Sequence, residues 1–199
     1  LTNAASQSQN LLLQFPIERT NLLNLMDSIL HQINTYLWIT EKYKTYNDTY
    51  EIYLSAKNSS IKLKAESLLR DLYKIRDDVY NLPSSVDQIS VVKNSVETLQ
   101  KWYDTSKELL DTMKDVLINS VVSVSFPQTT IDWYRATVDG LNSSLQWSKT
   151  AFVVYRKQLT SLLSQWEEWS LLDLSKVQAE VSYDTTRINI DNAKFSTEV

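Results

Sequence analysis

From Leu22 to Leu54 the chain repeats apolar and aromatic residues at alternating spacings of four and three: Leu22, Met26, Ile29, Ile33, Tyr36, Thr40, Tyr43, Asn47, Tyr50 and Leu54. A heptad row of this kind predicts a long helix with one face against other helices. Beyond Leu54 the seven-residue row stays in phase through Ile61, Leu68, Ile75 and Leu82. Its partner row moves from positions three residues later (Ile29, Tyr36, Tyr43, Tyr50) to positions four later (Ala65, Leu72, Val79). The buried face therefore rotates near Lys57-Asn58-Ser59-Ser60. Pro16 suits the first turn of a helix, and serines without Gly or Pro are a weak breaker. The expectation is a helix from about 17 to 82, continuous or kinked, with one candidate break at 57–60. Unbroken, it would run about 100 Å at 1.5 Å per residue.

Pro83 ends this segment, and Ser85 with Gln88 three residues on fits a capping box. A second helix, about 86–120, carries Val92, Val96, Leu99, Tyr103, Ser106, Leu110, Met113 and Leu117. A third, about 130–180, opens where Thr129 and Asp132 can cap it. It carries Tyr134, Val138, Leu141, Leu145, Ser148, Phe152, Tyr155, Leu159, Leu162, Trp166 and Trp169, with Gly140 as a tolerated defect. Residues 1–15 and 183–199 are expected to be loosely ordered, and 1–199 to form a single domain. The predicted fold is all-α, an elongated bundle of three or four long helices with heptad-type seams.

Composition narrows the picture in the same direction. One glycine and three prolines leave little material for the tight turns of sheets, and 11% aromatic residues supply ample surface to bury. A net charge of -4, with bases interspersed among acids, offers no concentrated basic face, so nucleic acid is not an expected partner. Without cysteine there is no disulfide framework and no thiolate chemistry. The start LTNAASQSQN has neither part of a signal peptide. It lacks an initiator methionine, which points to a processed form, and a soluble or secreted location is left open.

The vocabulary of catalysis is thin. His31 is the only histidine and falls on the face opposite the seam, so no histidine triad or multi-histidine metal site can be assembled. Asp77-Asp78 and Glu167-Glu168 are adjacent in sequence, so on a helix they point about 100° apart, unlike a converging carboxylate dyad. With a single glycine no phosphate loop can be built. No catalytic residue, cofactor, metal or small-molecule substrate is expected, and the chain reads as non-enzymatic.

Two segments carry the candidate contacts. In YLWITEKYKTYNDTYEIY, residues 36–53, Tyr36, Tyr43 and Tyr50 lie on the seam, Tyr46 and Tyr53 flank it, and Trp38 faces away. The ladder is either a thick core or a recognition surface, and Trp38, Tyr46 and Tyr53 are the partner-binding candidates. Trp166 and Trp169, with Leu171, Leu172 and Leu174 widening their face, suggest self-association.

The second segment is VVSVSFP, within a window from Val116 to Ile131 that holds no charge. It is either an interhelical connection closing the end of the bundle or a tip for touching a membrane surface through Val121, Val122, Val124 and Phe126. In layout, an apolar element joining long helices is similar to the α-helical pore-forming toxins, and that likeness implies a membrane-active tip. The leading expectation is a helical interaction or structural module acting through protein–protein contacts and self-association. The alternative is a membrane-active toxin or pore-forming component.

Overall fold

The computed structural model describes residues 2–40, 48–82 and 89–171. Its elements are α1 (Thr2–Leu37), the single turn α2 (Asp48–Glu51), α3 (Ser59–Tyr80), α4 (Ile89–Ile118) and α5 (Gln128–Leu171). No strand occurs among the described residues, so the fold is the all-α bundle that glycine scarcity and heptad spacing predicted. The chain divides into two compact units, Leu1–Lys157 and Gln158–Val199. The described part of the second, residues 158–171, is helical throughout.

In the first unit α3 and α4 run along each other with the most extensive backbone approach, and α1 lies against both. Their seams supply the core: Leu22, Met26, Ile29 and Ile33 from α1, Ala65, Leu69, Leu72 and Val79 from α3, and Leu99, Leu109, Leu110, Met113 and Val116 from α4. The inner side of α5 carries larger groups, Tyr134, Phe152 and Tyr155. It reaches its neighbours through side chains such as the Tyr103–Ser148 hydroxyl pair at 2.6 Å and the Lys149–Asp104 ion pair at 2.8 Å.

The helix expected over 17–82 is three elements, and it starts earlier than Pro16. Residues 2–15, expected to be loose, are helical, and Pro16 lies inside α1. An interior proline costs roughly 3 kcal/mol. Burial of Leu11 and Phe15, worth about 1.5–3 kcal/mol each, offsets it. The Tyr155 hydroxyl ties the same turn down by donating to the Leu11 carbonyl at 3.3 Å.

The first break is at Trp38, where φ is 51°, a left-handed conformation uncommon for a bulky residue. Asn34 makes it. Its buried side chain accepts from the Ile39 and Thr40 amides at 3.0 and 3.4 Å and donates to the Thr40 hydroxyl at 2.7 Å and the Tyr73 hydroxyl at 3.0 Å. The Trp38 amide donates to the Asn34 carbonyl at 2.8 Å. One residue thus satisfies the end of α1 and anchors it to α3, competing successfully with continued helix.

The second break runs over 52–58, overlapping the anticipated 57–60, and is a turn instead of a kink. Ser55 takes φ 58°, its hydroxyl donates to the Asn58 carbonyl at 2.7 Å, and α3 starts at Ser59 after Asn58. The expected Ser85–Gln88 cap lies outside the described residues.

Candidate functional site

VVSVSFP is a connection stitched down by its own serines. The Ser120 hydroxyl donates to the Val116 carbonyl at 2.8 Å and accepts from the Ser55 amide at 3.0 Å. Two backbone bonds join the 52–57 turn to the same segment: the Val121 amide donates to the Tyr53 carbonyl, and the Lys57 amide to the Asn119 carbonyl, both at 3.0 Å. Ser123 and Phe126 close a tight turn, the Ser123 amide donating to the Phe126 carbonyl and the Phe126 amide to the Ser123 hydroxyl. Pro127 then leads into α5.

This stitching sorts the four residues of the candidate tip. Val121, Val122 and Val124 point to solvent, Val124 without any cover. Phe126 is 0% exposed and belongs to the core, which removes it from any contact surface. The cause is the Ser123–Phe126 turn, which folds the ring back over Tyr50 and Tyr134 at centroid distances of 5.3 and 6.0 Å. Exposed Ile52 and Ile118 enlarge the apolar end that the three valines form. Sequence reading missed both because each looks like an ordinary helical position.

Trp38 is a correction of the same kind. It is 7% exposed, and it packs near Tyr50 at 6.3 Å, because the left-handed turn after α1 tucks it inward instead of leaving it on the outer helix face. Its indole Nε1 is buried without a hydrogen-bond partner. Tyr53 is half-buried and brought to the tip by its carbonyl bond with Val121. Tyr46 lies outside the described residues, as do the side chains of Trp166 and Trp169.

Beneath the tip the aromatics form one cluster. Tyr36 stacks on Tyr134 at 3.9 Å and meets Trp133 edge-on at 6.2 Å. Burial, with the neighbouring Tyr36 and Tyr50, pushes the Tyr134 hydroxyl up to about 12. The Tyr36 hydroxyl is also raised by burial; it lies beside Thr137 yet makes no hydrogen bond of normal geometry. Tyr50, Thr129, Thr130, Trp133 and Tyr134 line an open cavity of about 260 Å³ at this end.

The outer face of α5 is the feature sequence reading overlooked. Trp133, Ala136, Gly140, Ser143, Ser144, Trp147, Ala151 and Val154 recur at three- and four-residue spacing, and all are exposed. Trp147 is 80% exposed and Trp133 59%. No charged residue interrupts the row. The signal was present as a second period on the same helix, hidden because Tyr134, Val138 and Leu141 already account for α5 as a core helix. Beside the row, Lys114, Asp139, Asn142, Ser143, Gln146, Trp147 and Thr150 line a groove of about 620 Å³. Lys114 and Asp139 pair there at 2.6 Å, and the buried Asn142 Oδ1 has no partner.

His31, like Asp77 and Asp78, is exposed on its helix. Among the described residues no three metal-ligating side chains gather in one place, and no described helix is long and apolar enough to cross a membrane. Comparison with protein-family models, with curated proteins and with solved structures gave no match for this chain.

Proposed function

We infer that the protein is a non-enzymatic helical contact module that works by burying the outer face of α5 against another protein surface. One observation carries this reading: a row from Trp133 to Val154 that is exposed, free of charge and set with two tryptophans. Solvent-facing helix surfaces of soluble proteins are normally charged, and exposed tryptophans are the residues most enriched at interface hot spots. The test is sedimentation velocity of the full chain beside Trp133→Ser/Trp147→Ser, alone and with candidate partners. Complexes lost in the double variant, with its circular dichroism unchanged, support the reading; assembly identical in both sinks it.

A second reading has its own observation. Ile52, Ile118, Val121, Val122 and Val124 are exposed at one end, around a segment from Val116 to Ile131 that carries no charge, a surface suited to shallow insertion among lipid headgroups. Co-sedimentation with anionic vesicles, compared with Val122→Asp/Val124→Asp, decides it. Both positions are exposed, so the variant keeps its fold, which a Phe126 substitution would not. Binding that survives the variant, or no binding at all, removes the membrane reading.

A further inference from the structure

The contact-module reading leaves the partner open, and the following inference rests on it. We propose that α5 pairs antiparallel with α5 of a second copy of this chain, about a two-fold axis at the level of Ser143 and Ser144.

The row is complementary to its own reversal. Turning α5 about a point between Ser143 and Ser144 sets Trp147 opposite Gly140, Trp133 opposite Val154, Ala136 opposite Ala151 and Thr137 opposite Thr150. The largest exposed side chain therefore meets the smallest residue. A Cβ placed on Gly140 encounters no atom within 4 Å, so the space above it is open to receive an indole. Alanine and serine along the rest of the row let two helix backbones approach closely enough for the tryptophans to act as knobs.

Charge selects the direction. Lys149 and Arg156 face Asp104 and Gln100 of α4, and Asp139 pairs with Lys114, so the charges that flank the outer row at its two ends are the exposed Asp132 and Lys157. Antiparallel pairing brings Asp132 of one copy near Lys157 of the other, whereas parallel pairing sets Asp132 against Asp132 and Lys157 against Lys157. Trp133 to Val154 extends about 32 Å at 1.5 Å per residue. A strip of that length and one helix wide lies at the low end of interface size, so the dimer is weak and concentration-dependent.

A cysteine-free chain makes the test direct. Full-length protein is taken through a concentration series in sedimentation velocity beside Trp147→Ala and Gly140→Leu, and single cysteines are introduced for oxidative cross-linking. The wild type is expected to dimerise, and each variant to raise the dissociation constant by roughly 30-fold or more, the hot-spot scale. Gly140→Leu improves helix propensity, so lost dimer there is not lost fold. Ser144→Cys should link to itself; Ala136→Cys should link to Ala151→Cys and not to itself. A dimer indifferent to both variants, or self-linking of Ala136→Cys, overturns the antiparallel pairing and leaves the contact-module reading standing on another face or direction. A monomer at every concentration also overturns it. If no partner complex depends on Trp133 and Trp147 either, the contact-module reading fails with it.

Discussion

The end of the bundle at 118–124 and the outer face of α5 are both apolar, exposed and uncharged, yet they stand on different foundations. At the end, exposure accompanies a structural task. Ser120 and Ser123 fasten the backbone, Phe126 fills the space over Tyr50 and Tyr134, and the valines are what remains outside. On α5 only Trp133, at the end of the outer row, touches the core, edge-on to Tyr36; from Ala136 to Val154 the row is exposed, and the core is served by Tyr134, Val138, Leu141, Leu145, Phe152 and Tyr155 on the inner side. An apolar surface with no internal duty is the stronger pointer to a partner.

Alkali should strike behind both regions at once and have the largest effect. Tyr134, under the end, and Tyr103, behind α5, have hydroxyls pushed up to about 12 by burial, and Tyr36 and Tyr155 are raised in the same direction. A group whose folded pKa is raised keeps the unfolded state the readier to lose its proton, so the stability it contributes is intact below pH ~10 and disappears as pH rises towards ~12. For Tyr103 and Tyr134 a rise from about 10 to about 12 corresponds to at most roughly 3 kcal/mol each. Urea unfolding followed across that window should show a steep fall; a flat profile would mean that these hydroxyls are in contact with water.

Phe126→Ala separates the layers of the end. It should cost about 3–5 kcal/mol of stability, as for any fully buried phenylalanine, while Val124→Ala leaves the thermal midpoint unchanged. Equal, small effects in the two would place Phe126 outside the core and restore the four-residue tip.

Asn34→Ala comes next, at about 1–3 kcal/mol, because the buried side chain that accepts from the Ile39 amide and donates to the Tyr73 hydroxyl is removed from the end of α1. The loss should appear as faster hydrogen exchange around residues 34–40, and unchanged exchange there would show that water replaces the side chain. The smallest effect belongs to the α5 face: Trp147→Ala should alter unfolding free energy by no more than about 0.5 kcal/mol, as expected of an exposed site without structural contacts. A larger loss would give the row a structural duty and erase the difference between the two regions.

The helical class was legible from one glycine and from the four-three spacing, as were the boundary near Pro83 and the uncharged character of 116–131. The break at Trp38 was not, although polar Thr40 and Asn47 at seam positions were its trace. Periodicity records which face is apolar, and Tyr36 and Tyr50 keep the phase on either side of the interruption. The contact residues fared worst: Trp38 was placed on the outer face and Phe126 was outside in one of the two readings of its segment, and both lie within. Spacing on an ideal helix gives a direction only while the helix continues, and each of these residues sits just where it does not.

Sequence alone determined that this chain builds helices and packs them into an all-α bundle, because backbone freedom and apolar periodicity are local properties written in consecutive residues. Tertiary structure decided which aromatics became core and which stayed outside. That choice depends on three things distant in sequence: Asn34 reaching Tyr73, Ser55 meeting Ser120, and α5 having one face already occupied by the bundle.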